Sequence, residues 1–231
     1  MINRRTLDDD VDSILAAFLD CFGKNISVEY YKWKYKKNGK WNSFVTEIDG
    51  KIISHVGYNF RQMVFGDRSY LTAARYSSFT LKEYRGSNVY SNLLGDLNKS
   101  LVEDDVAIIQ GWPNNNNLRS TLRHTDFIPI AQISTLTLTF IGNIPINKVI
   151  EKCDINQFTE KHIAETSNSS LLNRPPEFAV IKNQDYLLER YVNHPEKQYY
   201  IYKRSGNFII FGITQFQDKN SVNIVEISCQ N

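Results

Sequence analysis

The sequence predicts an α/β protein with a mixed sheet, and three patterns along the chain lead to this fold class. An amphipathic helix comes first, over residues 11–22, and two β-prone segments follow around the turn Asp49-Gly50. A strand, a helix and a second apolar strand then occupy residues 70–109. Such a crossover connects parallel strands, whereas a hairpin connects antiparallel ones, so one sheet should contain both kinds of pair.

The amino-terminal region should form a helix and a hairpin. A capping pattern at Thr6–Asp9 should open the helix, and Gly23 should close it. The hairpin should pair residues 44–48 with residues 52–56, because Asp49-Gly50 is a strong hairpin turn. The apolar face of the helix consists of Val11, Ile14, Leu15, Phe18, Leu19 and Phe22.

The segment Tyr30–Lys37 alternates aromatic and basic residues and allows two interpretations. Aromatic rings with interleaved cations can stack on a nucleic acid and neutralise its phosphates. Alternatively, Trp33 and the tyrosines pack inward while the lysine stems cover them and keep their charges in water. The net charge of +2 is too small to argue for nucleic acid, so we favour the structural interpretation.

The most informative pattern is the turn Tyr84–Val89, which lies between a strand at 70–81 and a helix at 87–102. A strand that enters a helix through a tight turn leaves the first helical N–H groups without partners, at the positive end of the helix dipole. Anions bind at such positions, so the turn can hold a pyrophosphate. The alternative is an ordinary connection between a strand and a helix, with no ligand.

These residues resemble the central motif of the GNAT-type acyl-coenzyme A N-acyltransferase superfamily. That motif is a strand followed by Arg/Gln-x-x-Gly-x-Gly/Ala at the start of a helix, and Arg85–Tyr90 lies on its frame. Asn88 stands where the first family glycine falls, and Tyr90 stands where the second small residue falls. Asparagine tolerates a positive φ better than most residues, so the turn is still expected to form.

A second segment resembles one bacterial branch of this superfamily. Gly111–Asn117, followed later by Phe127, is similar to the Gly-aromatic-Pro-Asn-x-Asn-Ser signature of that branch. The resemblance implies a GNAT-type fold whose central sheet splays open after the second strand, with the cofactor passing through the split. Pro113 suits such a break because proline removes a donor from the strand ladder.

The resemblance also implies that acetyl-coenzyme A is the co-substrate, without a metal, and that its acyl group passes directly to a small amine in the same cleft. Backbone N–H groups of Gly86–Tyr90 would hold the pyrophosphate, and Arg85 would add charge or orient the turn. The main chain of residues 78–80 would face the pantetheine arm and stabilise the oxyanion. The implied cofactor-binding residues are Ser78, Phe79, Thr80, Arg85, Gly86, Ser87, Asn88, Val89, Tyr90 and Asn115.

An ammonium acceptor must lose a proton before it attacks, so a general base or a water chain is needed. Glu47, His55 and Tyr76 are candidates by their strand positions alone. A lone histidine on a strand is more often a residue whose hydrogen bonds are satisfied within the protein than a catalyst, although its ordinary pKa keeps His55 eligible. The tyrosine that often protonates the departing thiolate in this superfamily would fall near Leu122, and leucine has no proton to donate.

The carboxyl-terminal part contains a weak repeat of the first part. Residues 30–58 align without a gap with residues 186–214, and the second copy should begin near Cys153. We therefore predict an acetyltransferase domain at 1–145 and a partial GNAT-like domain at 146–231, with one cofactor site in the first. The last strand would need a partner, either across the domains or in a homodimer. The alternative to a repeat is that the two segments are similar only because each contains a hairpin with a glycine turn.

Composition indicates a compact protein with neither a signal peptide nor a membrane span. The first residues are charged, and no apolar run follows them. The three cysteines are odd in number and lack metal or redox spacing, so we expect free thiols in a reducing cytoplasm.

The sequence leaves three function classes open. The first is an N-acetyltransferase for a small amine, and branch relatives favour an amino sugar of surface-polysaccharide synthesis, including a nucleotide-linked one. The second is an aminoacyl or longer-chain acyl transferase. The third is a degenerate, non-catalytic GNAT-like binding module, which Asn88, Tyr90 and Leu122 favour.

Overall fold

The computed structural model describes residues 1–113, 115–124, 127–129, 150–152, 178–204, 207–216 and 219–228. The chain divides into two compact units. Unit 1 comprises residues 1–63 and 68–135, and unit 2 comprises residues 64–67 and 136–231. The predicted domain boundary at 145, together with Cys153 and Cys229, lies outside the described residues and stays a prediction.

Unit 1 contains the strands and helices that surround the predicted pyrophosphate turn. Its strands are β1 (Ile2–Arg5), β2 (Lys36–Lys37), β3 (Lys40–Trp41), β4 (Ser43–Ile48), β5 (Lys51–Phe65), β6 (Arg68–Thr80) and β7 (Ile108–Gly111). Its helices are α1 (Val11–Phe22), α2 (Val28–Tyr35), α3 (Val89–Glu103) and α4 (Asn115–His124), with 3₁₀ turns at Asp8–Asp10 and Lys82–Tyr84.

The main sheet of unit 1 has the strand order β1-β4-β5-β6-β7. β1 pairs antiparallel with β4, and β4 pairs antiparallel with β5. β6 and β7 instead pair parallel, and α3 forms the crossover between them. The sheet is therefore mixed, which confirms the predicted fold class.

Helix α1 lies where the sequence predicts it, but its amino-terminal cap differs from the prediction. Gly23 closes the helix in a left-handed conformation with φ 64°. At the other end, Asp10 Oδ2 accepts the Leu7 N–H at 2.6 Å. Thr6 does not cap the helix, because the pairing of β1 with β4 buries it, and its hydroxyl accepts a hydrogen bond from Ser43 Oγ at 2.7 Å.

The predicted hairpin is confirmed. β4 and β5 pair up to Ile48 and Lys51, on either side of the predicted turn. Asp49 and Gly50 have φ 48° and 78°. Positive φ at both central residues gives the turn a twist that matches the twist of the two strands.

Each face of the main sheet packs against its own helices. Phe44 and Val45 are neighbours on β4, and they belong to different apolar clusters because successive strand residues point to opposite faces. The cluster with Val45 includes Ile14 of α1 and Tyr31 of α2. The cluster with Phe44 includes the buried leucines of α3, which are Leu93, Leu94, Leu97 and Leu101.

The parallel pairing of β6 and β7 stops before β6 ends. The last pair is Arg75 with Gly111, while β6 continues to Thr80. The remaining residues of β6 thus have no partner on β7 within the described chain, which is the opening predicted for the central sheet. Ser77 lies in this stretch and has φ 47°, a conformation uncommon for residues other than glycine.

Unit 2 is built on a four-stranded antiparallel sheet with the order β12-β11-β10-β8. Its elements are β8 (Ile150–Lys152), β9 (Phe178–Val180), α5 (Gln184–Leu187), a π-helical turn (Leu188–Val192), β10 (Tyr199–Arg204), β11 (Asn207–Phe216) and β12 (Lys219–Ser228). None of the helices described in either unit has the length and apolarity that a membrane crossing requires.

The two units share features that support the predicted second GNAT-like unit in part. The neighbours β8, β10, β11 and β12 repeat the order of β1, β4, β5 and β6. Ser27 accepts the Tyr30 N–H at the start of α2 at 3.1 Å. At the aligned positions in unit 2, Asn183 accepts the Tyr186 N–H at the start of α5 at 3.0 Å.

Tyr35 lies directly against Gly57, and this contact can be tested by substitution. A Cβ atom at residue 57 would lie 2.3 Å from Tyr35 Cε1, and the ring is 1% exposed and has no free space to move into. We expect Gly57→Ala to lower the free energy of unfolding by about 2 kcal/mol, measured by urea denaturation.

Gly95→Ala is the matched control for this substitution. Gly95 lies inside α3, and no atom is within 4 Å of the position that its Cβ would take. Alanine should therefore raise the free energy of unfolding by about 0.5–1 kcal/mol through its higher helix propensity. Equal effects of the two substitutions would show that the contact at Gly57 is not tight.

Candidate functional site

A cavity of about 260 Å³ lies where β6 ends and α3 begins. Its lining residues are Ser78, Phe79, Thr80, Tyr84, Arg85, Gly86, Ser87, Asn88, Tyr90 and Ser91. The structure thus brings together all of the predicted cofactor-binding residues except two. Val89 is buried in the core, and Asn115 is the first residue of α4.

The N–H groups at the start of α3 are not used within the described part of the protein. The first helical hydrogen bond runs from the Asn92 N–H to the Asn88 carbonyl oxygen at 2.9 Å. For the N–H groups of residues 86–91, the described residues provide no acceptor. These groups and the positive end of the helix dipole would therefore meet an anion in the cavity.

The shape of the turn comes from Gly86 rather than from Asn88. Gly86 has φ 80°, whereas Asn88 has φ −78°, so the asparagine needs no left-handed tolerance. Ser87 Oγ donates to the Tyr84 carbonyl oxygen at 2.6 Å and holds the turn closed. The main-chain N–H of Asn88 is available regardless of its side chain.

Arg85 connects the turn to the end of β6. Its Nε donates to the Thr80 carbonyl oxygen at 2.9 Å, and its Nη2 lies 3.9 Å from Cys21 Sγ on α1. Of the two roles that the sequence left open for Arg85, these contacts favour orientation of the turn. Cys21 is a free thiol, and burial raises its pKa.

Tyr90, Tyr84 and Ser91 complete the wall of the cavity. Tyr90 packs partly against the apolar cluster of α3 and also reaches the cavity. The sequence-based prediction missed Tyr84 and Ser91. Ser91 is the third residue of α3, so the rule that first-turn N–H groups lack partners would have found it. Tyr84 belongs to the turn that the sequence indicated, but no pattern marked it as a binding residue.

His55 lies in the interior of unit 1 with both ring nitrogens bonded. Nδ1 is 2.9 Å from the Ser77 carbonyl oxygen, and Nε2 is 2.9 Å from Tyr31 Oη. A carbonyl oxygen can only accept, so Nδ1 carries the proton and Nε2 accepts from the tyrosine. Burial lowers the pKa of His55 to about 4, and the ring is therefore neutral at pH 7.

The other two candidate bases have different surroundings. Glu47 Oε2 accepts from Arg4 Nη2 at 2.6 Å, which engages this carboxylate in an ion pair. Tyr76 stacks on Trp112 with ring centroids 5.8 Å apart, next to the point where β6 leaves β7. The three candidates are not brought together, and none of them lines the cavity.

Lys34 places a cation beside the open part of β6. Its ammonium group lies 5.2–5.5 Å from the ring centroids of Tyr30, Tyr35 and Tyr76 and donates to Ser77 Oγ at 3.4 Å. The sequence favoured packing of this segment, and Tyr35 is indeed buried, but it gave no sign that Lys34 reaches β6. No cluster of three or more metal-binding side chains occurs in the described ranges.

Burial of His55 should make stability depend on pH. The folded pKa of about 4 lies below the ordinary 6.5, so the unfolded chain binds this proton first as the pH falls. The stability contributed by neutral His55 is complete above pH 6.5 and is lost toward pH 4. We expect a loss of about 2 kcal/mol between pH 7 and pH 5, measured by urea denaturation.

Nitrogen NMR of the imidazole provides the direct measurement. His55 should show a protonated Nδ1 and an unprotonated Nε2 at pH 7, with no titration above pH 5. A His55→Phe variant cannot titrate at this position and should lose this part of the pH dependence. A His55 signal that titrates near pH 6.5 would show that the ring is not buried as described.

The mixed sheet that opens beside the start of α3 is the architecture of GNAT acetyltransferase domains. A family model described as an acetyltransferase (GNAT) domain matches residues 3–120. The chain belongs to this family.

Solved structures share this fold. A GCN5-related N-acetyltransferase from Kribbella flavida is 14% identical with a TM-score of 0.60, over 100% of this chain and 57% of its own. A probable N-acyltransferase from Enterococcus faecalis V583 is 14% identical with a TM-score of 0.61, over 96% of this chain and 58% of its own. Saccharomyces cerevisiae N-myristoyltransferase with bound myristoyl-CoA is 8% identical with a TM-score of 0.59, over 98% of this chain and 65% of its own.

The chain thus spans less than two thirds of the length of each of these three proteins. Identities this low show a common fold and nothing about the substrate. No curated protein matches the sequence.

Proposed function

We propose that the protein is an acetyl-coenzyme A-dependent N-acetyltransferase that passes an acyl group directly to a small amine. The observation that carries this proposal is the run of N–H groups at residues 86–91, which meets a cavity at the positive end of α3. A diphosphate satisfies several such donors together, whereas a neutral ligand does not. Membership of the GNAT family supports the same donor.

The residues around the cavity fit the parts of this donor. N–H groups of residues 86–91 would bind its diphosphate. Residues 78–80 lie beyond the last pair between β6 and β7, so main-chain groups on this edge of β6 can pair with the amides of the pantetheine arm. Main-chain groups of the same residues can stabilise the oxyanion. The thioester supplies an activated acyl group, and no protein nucleophile is needed. The proposed role of Asn115, a contact with the donor beyond the split, rests on the bacterial-branch resemblance.

Tyr76 is the strongest of the three candidates for proton removal from the acceptor. Its phenol oxygen would accept the proton, directly or through water, while its own proton passes to a neighbouring water. Tyr76 directly follows Arg75, the last residue of β6 that pairs with β7. Glu47 is held by Arg4, and both nitrogens of His55 are bonded within the protein, so these two residues are weaker candidates. Leu122 cannot donate a proton to the departing thiolate, which leaves that step to water or to an acid elsewhere in the protein.

The acceptor that we propose is an amino sugar of surface-polysaccharide synthesis, in free or nucleotide-linked form. The similarity of Gly111–Asn117 to the bacterial branch supports this substrate class. The Trp112 ring is 53% exposed and stacks on Tyr76, and it offers a flat apolar surface on which a sugar ring can rest.

We also infer that the chain is a tandem repeat whose second copy is degenerate and has no coenzyme site. The matching strand order and helix caps of the two units support this organisation. A homodimer and a cytoplasmic location are parts of the same proposal, and the free Cys21 thiol supports the location.

The diphosphate site can be tested with one added charge. We expect Ser87→Asp to weaken acetyl-coenzyme A binding at least about tenfold in calorimetry, because its carboxylate repels the diphosphate. The same charge near the start of α3 favours the helix by about 0.3–1 kcal/mol, but the carboxylate cannot donate to the Tyr84 carbonyl oxygen as Ser87 Oγ does, so the two effects should offset each other and leave stability within about 1 kcal/mol of the wild type. Ser69→Asp, at an exposed position of β6, is the control and should bind normally. Equal affinity of both variants would contradict an anion site at residues 86–91.

The acceptor can be identified by release of free thiol from acetyl-coenzyme A. We expect thiol to appear with a free or nucleotide-linked amino sugar and to fall at least about tenfold in a Tyr76→Phe variant. Acylated product formed only from aminoacyl or long-chain donors, with or without free thiol, would instead identify a different acyl transferase. Tight donor binding without thiol release from any amine would identify a binding module.

A further inference from the structure

A left-handed residue interrupts β6 where the strand enters the cavity. Ser77 has φ 47°, which costs free energy for any residue except glycine and persists only where the surroundings impose it. β7 cannot impose it, because its pairing with β6 ends at Arg75. Lys34 Nζ contacts Ser77 at its side-chain Oγ at 3.4 Å, and the contact with the Ser77 main chain lies at the opposite edge of β6, where β5 lies.

His55 on β5 supplies this constraint. Its Nδ1–H donates at 2.9 Å to the carbonyl oxygen of Ser77, the left-handed residue itself. His55 is 1% exposed, so water cannot replace this hydrogen bond. The Ser77 carbonyl oxygen can only accept, so it fixes the Nδ1–H tautomer, and Tyr31 Oη donates to the other nitrogen, Nε2, at 2.9 Å.

Packing fixes the plane of the imidazole as well. The ring stacks on Phe79 with centroids 5.4 Å apart and an interplanar angle of 20°. The Tyr35 ring meets it edge-on at 5.9 Å. Phe79 follows Ser77 by two residues on the same strand, so His55 contacts β6 both at the left-handed residue and just beyond it. If the site needed only volume, an apolar residue would fill it without burying two polar nitrogens.

We propose that Tyr31 and His55 are positioning residues that hold Ser77 in its left-handed conformation and so direct the main chain of residues 78–80 toward the acyl donor. This inference rests on the proposed function, because the donor is the molecule that residues 78–80 would meet. Tyr31 and His55 do not line the cavity. They act through the Ser77 carbonyl group, and the residues that follow it form the cavity wall.

The test combines His55→Phe with Ser77→Gly. Phenylalanine keeps an aromatic ring against Phe79 but cannot donate to the Ser77 carbonyl oxygen. Glycine adopts a φ of this sign without cost, so residue 77 should then need no histidine. We expect His55→Phe to weaken acetyl-coenzyme A binding about tenfold in calorimetry, and the double variant to bind within about threefold of the wild type.

Recovery of affinity separates positioning from general stability. The double variant still lacks the buried hydrogen bond and should melt below the wild type even though it binds. Binding by the double variant as weak as that of His55→Phe, or normal binding by His55→Phe alone, would overturn the proposal. Failure of the wild type to bind acetyl-coenzyme A would reject the proposed function, and this inference with it.

Tyr31→Phe provides a second test in case His55→Phe does not fold. Loss of the hydroxyl leaves Nε2 without a donor while the Ser77 carbonyl oxygen still accepts from Nδ1–H, so the Nε2 signal in nitrogen NMR should shift and binding should weaken about threefold. Tyr58→Phe is the matched control, since Tyr58 is a buried tyrosine of β5 whose hydroxyl accepts from Arg5 at 3.1 Å. It should leave the Nε2 signal and the affinity unchanged. An unchanged Nε2 signal and an unchanged affinity in Tyr31→Phe would overturn the role of Tyr31.

Discussion

The early end of the parallel pairing between β6 and β7 is the constraint on which the rest of the structure depends. If β7 paired along the whole of β6, the strand ladder would use the edge that borders the cavity. Because the last pair is Arg75 with Gly111, the end of β6 and the start of α3 instead line one cavity. The anion site that we propose would thus consist of main-chain groups that the described part of the fold leaves unused.

Polar side chains near this cavity mainly hold the main chain. Arg85 donates to the Thr80 carbonyl oxygen, and His55 donates to the Ser77 carbonyl oxygen. This explains why the departures from the family motif leave the turn intact. The left-handed position falls on Gly86, and Asn88 contributes an N–H group that any residue except proline would provide.

The sequence predicts the parts of the structure that depend on neighbouring residues. The closure of α1 at Gly23, the hairpin at Asp49-Gly50 and the strand-turn-helix before the cavity all follow from short patterns. Features that depend on distant residues were not predictable. β1 has a polar sequence and is a strand because it pairs with β4, and the same pairing removes Thr6 from the helix cap. The bonds of His55 likewise depend on elements that are remote in sequence.

The parallel pair also has a consequence for the order in which the protein forms. β4 meets β5 across a tight turn, whereas Thr72 on β6 meets Ile108 on β7 only after the whole of α3 has been made. Closing the longer loop costs more chain entropy, so the antiparallel strands should associate first. During synthesis on the ribosome, they can assemble before β7 emerges, so the antiparallel part of the sheet can exist before the parallel pair that ends at Arg75 and Gly111 forms.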